Sequence, residues 1–203
     1  MQTRSRGADH AKALVAAAER LLAERGSSFT TQDVTKEAGV ALQTFYRHFE
    51  SKDRLLLAVF EDMVTKATER YREACAPLPD PVERLRIGMT AALEAQGGSA
   101  GHSPRFVTAE YWRLYELFPE EMTRATQPFV DATERELRAA VEAGSLHSDD
   151  PASDAWLMSK MVMAIYHHRA FAPLDPPAAD AKERVWAFCL SALGGRPPGP
   201  ASG

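Results

Sequence analysis

The amino-acid sequence predicts an all-α protein with an N-terminal three-helix domain, a long joining helix and a C-terminal helical domain. Apolar residues recur at helical spacing in one segment after another, and glycines and prolines separate these segments. No segment shows the alternating β-branched pattern of a strand. The chain has 203 residues, 45% hydrophobic and 26% charged. This composition is typical of a globular protein that folds without disulfides or metals.

The first two helices are predicted from their apolar spacing and from residues that typically begin or end a helix. Residues 9–25 carry an apolar face at helical spacing, and Gly26 follows as a C-terminal stop. Thr30 precedes a second run, and Asp33 stands three residues later, the spacing of a capping box. Gly39 ends this run, so we expect a helix of only two turns.

A third short helix and a long fourth one follow. Residues 41–48 form another short helical stretch, whose apolar positions include Phe45 and Phe49. Two short helices around Gly39 indicate a helix-turn-helix. Ser51 then caps a long helix over 51–75, with an acidic residue in its first turn.

Five more helices are predicted beyond the prolines that end the long helix. They lie at about 81–96, 104–117, 119–143, 150–171 and 178–193. We therefore expect an N-terminal domain over 1–52, a joining helix over 51–75, a C-terminal domain over 76–193 and a disordered tail over 194–203.

Charge and apolar patterning limit the class of protein. The net charge is −4, but the first sixty residues hold nine basic and seven acidic side chains, a net of about +2, which leaves about −6 on the rest. Such asymmetry weakly favours a nucleic-acid-binding end on an acidic body. The longest apolar runs have six residues, far below the roughly 18 of a membrane span. We expect a cytoplasmic protein whose Cys75 and Cys189 are buried, reduced thiols.

A set of motifs in the first third of the chain identifies a family. The motifs are Asp33-Val34, the turn Ala38-Gly39-Val40, Thr44-Phe45-Tyr46 and Phe49-x-Ser51-Lys52, in this order and spacing. Over residues 10–64 they resemble the DNA-binding signature of the TetR family of transcriptional regulators. One departure is Ala41, where family members commonly have Ser, so the third helix lacks a side-chain cap.

The third helix carries the predicted base contacts. Its N-terminal half must direct polar groups into the major groove while Phe45 and Phe49 anchor it. The amide of Gln43 suits an adenine edge, Leu42 suits a thymine methyl unless it belongs to the core, and Arg47 suits guanine or a phosphate.

Phosphate contacts are predicted around this helix. The resemblance assigns them to Tyr46, His48 and Lys52, and Thr31 and Thr44 add hydroxyl donors. The basic residues Arg4 and Arg6 suit a flexible arm along the DNA backbone or minor groove.

The resemblance also implies a C-terminal domain that binds a small molecule and forms a homodimer through the last two long helices. The candidate effector contacts are Met89, Phe106, Tyr111, Trp112, Tyr115, Trp156, Met163 and His167. The candidate dimer contacts are Met158, Met161, Ile165, Trp186, Phe188 and Leu190. Each of these side chains fits an ordinary core equally well.

These observations predict a repressor that binds a palindromic operator as a homodimer and is released by a small apolar or aromatic effector. The effector would act by tilting the helix over 51–75. The alternatives are a helical small-molecule carrier or an adaptor whose N-terminal helices do not read DNA.

We expect no enzyme activity, cofactor or metal. The pattern G-x-S-x-G occurs at 97–101 beside His102, but a nucleophile elbow requires a strand before the serine, and here a helix precedes it. His167 and His168 are adjacent on a helix, so their side chains diverge by about 100°. Neither has a metal-ligating residue four positions away.

Overall fold

The computed structural model describes residues 2–94, 104–172 and 178–195, with the side chains of 2–6, 92, 94 and 178–180 left undescribed. In these ranges the chain forms α-helices, one 3₁₀ turn and no strand, which confirms the all-α prediction. None of the described helices is both long and apolar enough to cross a membrane. The helices are α1 (Gln2–Arg25), α2 (Thr31–Ala38), α3 (Leu42–His48), α4 (Lys52–Cys75), α5 (Pro81–Glu94), α6 (Pro104–Leu117), α7 (Pro119–Glu142), α8 (Pro151–Phe171) and α9 (Ala178–Ala192).

The start of α1 differs from the prediction. The helix begins at Gln2, seven residues before the predicted start, so the backbone of Arg4 and Arg6 is helical and does not form a flexible arm. No proline or glycine precedes Gly7, and extending an existing helix costs little. A 3₁₀ turn over Gly26–Ser28, which was not predicted, follows α1. The 97–101 motif, His102 and the predicted tail beyond 195 lie outside the described residues.

Local signals explain the geometry of α2. The Asp33 amide donates to Thr30 Oγ1 at 3.2 Å, and the Thr30 amide donates to Asp33 Oδ2 at 2.7 Å, which is the predicted capping box. Gly39 ends the helix with φ 67° and ψ 31°. This left-handed conformation favours glycine, so the sharp turn between α2 and α3 follows from the sequence.

The chain divides into two compact units, each with its own core. The first unit comprises Met1–Lys66 and Ser99–Thr126, so α6 and the start of α7 belong with α1–α3. The predicted boundaries followed the order of the chain and placed residues 76–193 in one domain. The largest fully buried side chains of this first core are Leu14, Leu22, Val34, Phe45, Leu55, Leu56, Leu114 and Met122.

The second unit comprises Ala67–Gly98 and Gln127–Gly203. Its main core is formed by α5, α7, α8 and α9, with Leu85, Met89, Leu93 and Leu137 fully buried. Cys75 and Cys189 are both buried free thiols, as expected.

Candidate nucleic-acid interface

The helix α3 has one buried face and one exposed face. Phe45 is completely buried, and its ring lies 6.0 Å from the ring of the partly buried Phe49. Gln43 and Arg47 are exposed and stand four residues apart, so they share one face of the helix. The core thus holds α3 on one side and presents an amide and a guanidinium on the other, which is the arrangement that reading a DNA groove requires.

The remaining candidates on α3 differ in exposure. Leu42 is 38% exposed and Tyr46 is 56% exposed, and they form a second stripe four residues apart. From the sequence, Leu42 could either contact a base or belong to the core. The structure places much of its side chain at the surface. Thr44 and His48 are half-buried. The exposed face of α3 is therefore formed by Leu42, Gln43, Tyr46 and Arg47.

The N-terminus of α3 lacks a side-chain cap, as predicted from Ala41. Ala41 has φ −73° and ψ 149°, and its side chain accepts no hydrogen bond. Its carbonyl oxygen accepts from the Thr44 amide at 2.8 Å and the Phe45 amide at 3.3 Å. A helix start without a cap leaves its first amide groups to other acceptors, which include phosphate oxygens.

The carboxylates of α2 are both engaged within the unit. Asp33 is held in the capping box, and the hydrogen bonds from Thr30, first of all from its backbone amide, lower the pKa of this carboxyl. Glu37 Oε1 accepts from Arg20 Nε at 3.0 Å. Because a cation neutralises Glu37, the repulsion between this side of the unit and a phosphate backbone is reduced.

Lys52 has partners that its position in the sequence does not predict. Its Nζ donates to the carbonyl oxygens of Ser27 at 2.5 Å and Phe29 at 3.0 Å, and lies 4.9 Å from the Phe29 ring centroid. An ammonium group has three N–H donors, so one remains beyond these two bonds. Lys52 therefore stabilises the turn before α2, and its role as a phosphate contact stays a prediction.

His48 lies against the N-terminal part of α1. Its Nε2 is buried and makes no hydrogen bond, and a Cβ on Gly7 would lie 3.8 Å from its Cε1. Burial, followed by the charges of Arg47 and His10, lowers the pKa of His48. The lowered pKa disfavours the charged imidazolium, and a phosphate contact by His48 would use its other ring nitrogen.

Thr31 opens α2 and is half-buried. Gln32 and Lys36 are exposed polar residues of the same helix, and they stand four positions apart and so share a face. Neither residue is among the predicted DNA contacts. The signal was available, because both positions fall outside the apolar stripe through the buried Val34.

Comparison with known proteins identifies the family. The family model described as bacterial regulatory proteins, tetR family, matches residues 14–59, the segment that contains α2, α3 and the start of α4. The transcriptional regulator EthR of Mycobacterium tuberculosis (strain H37Rv) is 30% identical over 146 residues, which is 68% of this chain and 67% of that protein. The chain belongs to the TetR family of helix-turn-helix transcriptional regulators.

Solved structures of TetR-family and related regulators share the fold. RolR in complex with resorcinol superposes with a TM-score of 0.72 at 18% identity, covering 95% of this chain and 91% of that one. FadR of Thermus thermophilus in complex with lauroyl-CoA gives a TM-score of 0.71 at 19% identity, covering 95% and 100%. At these identities the likeness establishes the fold, and the ligands belong to those proteins.

The predicted effector contacts fall into both units of this TetR-family chain. In the first unit Tyr111 is 6% exposed, and its ring lies 5.2 Å from that of the exposed Trp112 and 5.0 Å from that of Tyr115. Phe106, 41% exposed, lies beside Gly26. In the second unit the remaining candidates are Met89 and His167, which are buried, Met163, which is half-buried, and Trp156, which is 50% exposed.

The predicted dimer contacts are mostly internal. Met158, Trp186 and Leu190 are each 5% exposed and belong to the core of the second unit, with Met161 and Ile165 packed against it. A side chain that is buried in the core of its own unit has little exposed surface with which to contact a second subunit. Phe188 is 64% exposed, and the structure adds three exposed apolar residues of α8 that the dimer prediction omitted, namely Trp156, Leu157 and Phe171.

The two adjacent histidines of α8 point in different directions. His167 is 6% exposed, and burial lowers its pKa to about 4, whereas His168 is exposed. In the described parts of the chain, no three His, Cys, Asp or Glu side chains are grouped as metal ligands would be.

Proposed function

We propose that the protein is a homodimeric repressor that places α3 in the major groove of each half of a palindromic operator. The observation that supports this most directly is the division of α3 between its buried Phe45 and its exposed Gln43 and Arg47. A helix of seven residues reads few base pairs, so a two-fold dimer that reads two half-sites supplies the needed specificity.

The dimer is proposed to form through α8 and α9. The support is the exposed apolar surface on these helices, where Trp156, Leu157, Phe171 and Phe188 are each at least half exposed. Aromatic and large apolar side chains are the groups that homodimer interfaces bury.

The effector is proposed to be a small, mostly apolar molecule that contacts α6. Among related structures, RolR holds resorcinol and FadR of Thermus thermophilus holds lauroyl-CoA. In this chain α6 presents Tyr111, Trp112 and Tyr115 in mutual contact, with Trp112 57% exposed. An aromatic cluster of this kind suits an apolar or aromatic ligand.

The contacts of α6 support a route from the effector to DNA. Arg113 of α6 donates to Asp53 at the start of α4 at 2.6 Å, and Arg54 donates to Glu121 of α7 at 3.0 Å. These pairs lie within the first unit, which also contains the helix-turn-helix. We propose that the first unit has two conformations that differ in the placement of α6. An effector that binds one conformation more tightly than the other shifts the equilibrium between them, and this difference in affinity supplies the free energy of the shift.

Selection of random double-stranded DNA by the purified protein near physiological salt tests the proposal. Sequencing of the bound fraction is expected to yield a two-fold symmetric site. Weak, salt-sensitive binding without an enriched sequence would indicate an adaptor, and absence of DNA binding at any salt would indicate a carrier. The wild-type protein and Gln43→Ala are selected in parallel, because a change in the enriched site assigns the readout to α3.

A further inference from the structure

An open groove of about 550 Å³ lies in the second unit, where the end of α4, the following turn, the start of α5 and the C-terminal part of α7 meet. Three arginines, Arg72, Arg84 and Arg135, line it together with one carboxylate, Glu136. Leu78 and two alanines supply apolar surface between the charges. None of these residues belongs to the proposed DNA interface or to the α6 aromatic cluster.

Glu136 holds two of the arginines in position. Its Oε2 accepts from Arg84 Nε at 2.6 Å and its Oε1 accepts from Arg135 Nε at 3.1 Å, while its side chain is only 8% exposed. Arg84 Nη1 also donates to the carbonyl oxygens of Leu78 and Pro79, each at 2.9 Å. Because Glu136 binds only the Nε atoms, Arg84 Nη2 and both terminal nitrogens of Arg135 have no acceptor among the described residues.

Arg72 adds an unbalanced charge to this groove. It is exposed, and no carboxylate in the described ranges pairs with it. The three arginines and Glu136 leave a net charge of about +2, although the chain beyond residue 60 is acidic as a whole. The thiol of Cys75 at the groove does not offset this charge, since burial raises its pKa.

We propose that this groove binds a small organic anion, with its acidic head against Arg72, Arg84 and Arg135 and its apolar part against Leu78. Arg135, whose Nε is fixed by Glu136, presents both terminal nitrogens in the forked geometry that suits carboxylate and phosphate oxygens, and Arg84 adds its Nη2. The site lies within the second unit and needs no DNA, so it stands apart from the proposed operator binding.

Calorimetric titration of the full chain with benzoate, phenyl phosphate and neutral benzamide tests the site. Both anions share an aromatic ring and differ in the head group, so tighter benzoate binding identifies a carboxylate ligand and tighter phenyl phosphate binding identifies a phosphate ester. Benzamide has the same ring without the charge and is expected to bind at least tenfold more weakly than the better anion.

Arg72→Ala and Arg70→Ala form a matched pair for this titration. Both residues are exposed on α4 and both changes remove one positive charge, but Arg70 does not line the groove. Arg72→Ala is expected to weaken binding of the better anion about tenfold, and Arg70→Ala less than twofold. Arg135→Gln tests a second groove donor while keeping the side chain polar. Absence of saturable anion binding up to about 10 mM, or equal losses in Arg72→Ala and Arg70→Ala, would overturn the proposal.

Discussion

Lys52 and Phe29 are in contact twice: the Nζ donates to the Phe29 carbonyl oxygen at 3.0 Å and lies 4.9 Å from the centroid of its ring. The first residue of α4 thereby orders the segment that leads into α2. A residue whose spacing suggests phosphate binding also stabilises the unit that would bind DNA.

Lys52→Met is expected to lower the free energy of unfolding by about 1–3 kcal/mol, because the carbonyl groups of Ser27 and Phe29 lose a charged donor. Urea unfolding followed by circular dichroism measures this change. Lys12→Met is the control, since Lys12 is exposed on α1 of the same unit. Equal stability of the two variants would contradict the structural role of Lys52.

Gln43→Ala and Lys52→Met are expected to affect DNA binding differently. Gln43 is exposed on α3, and its loss should reduce discrimination at one base-pair position in each half-site by about 1–3 kcal/mol. Lys52→Met should weaken binding to all DNA sequences alike. It should also reduce the slope of log binding constant against log salt concentration by about 0.9 for each phosphate group that a subunit no longer binds. Titrations at several salt concentrations separate these effects, and uniform weakening by both variants would refute the division of roles.

Gly39→Ala is expected to destabilise the protein by about 1–2 kcal/mol through backbone strain alone. Gly39 has φ 67°, and a Cβ there would meet nothing within 4 Å. Gly39→Asn should destabilise the protein less than Gly39→Ala, because asparagine tolerates the left-handed backbone region. Gly26→Ala should cost more than Gly39→Ala, since its φ is also positive and its Cβ would lie 2.8 Å from the Phe106 ring. Thermal melts of the three variants test this order.

Phe188→Glu is expected to shift the protein from dimer to monomer. Phe188 is the most exposed large apolar residue on α9, and a charge there would be buried without a partner in the proposed interface. Leu117→Glu provides the control, because Leu117 is 48% exposed but lies on α6 of the other unit. Sedimentation equilibrium gives the association constant, and a wild-type monomer would remove the proposed interface.

Protonation of His167 is expected to destabilise the protein at acidic pH. Burial lowers its pKa to about 4, against about 6.5 in an unfolded chain, so the unfolded state binds more protons in this window. The stability due to neutral His167 is present above pH 6.5 and is lost as the pH falls towards 4. Between pH 7 and pH 5 this amounts to about 2 kcal/mol in the free energy of unfolding.

Urea unfolding of His167→Gln and His168→Gln at these two pH values measures this contribution. The His167 variant should lose less stability between pH 7 and pH 5 than wild type. The variant at His168, the exposed neighbour, should behave like wild type. The same pH dependence in all three proteins would show that another group titrates.

The sequence by itself determined most helix boundaries and the helix-turn-helix, because their signals are local. The capping box of Thr30 and Asp33 and the positive φ of Gly39 each involve residues within one or two turns of the chain. The alternation that buries Phe45 and exposes Gln43 also follows from helical spacing alone.

Only the tertiary structure decided the partners of these helices. An apolar stripe shows that a helix packs, but not what it packs against, so Met158, Trp186 and Leu190 suited a dimer interface by sequence and proved to be core. Lys52 contacts carbonyl groups 23 and 25 residues away, and Glu136 joins Arg84 across 52 residues. No spacing rule reaches such distances, because the packing of whole helices brings these atoms together.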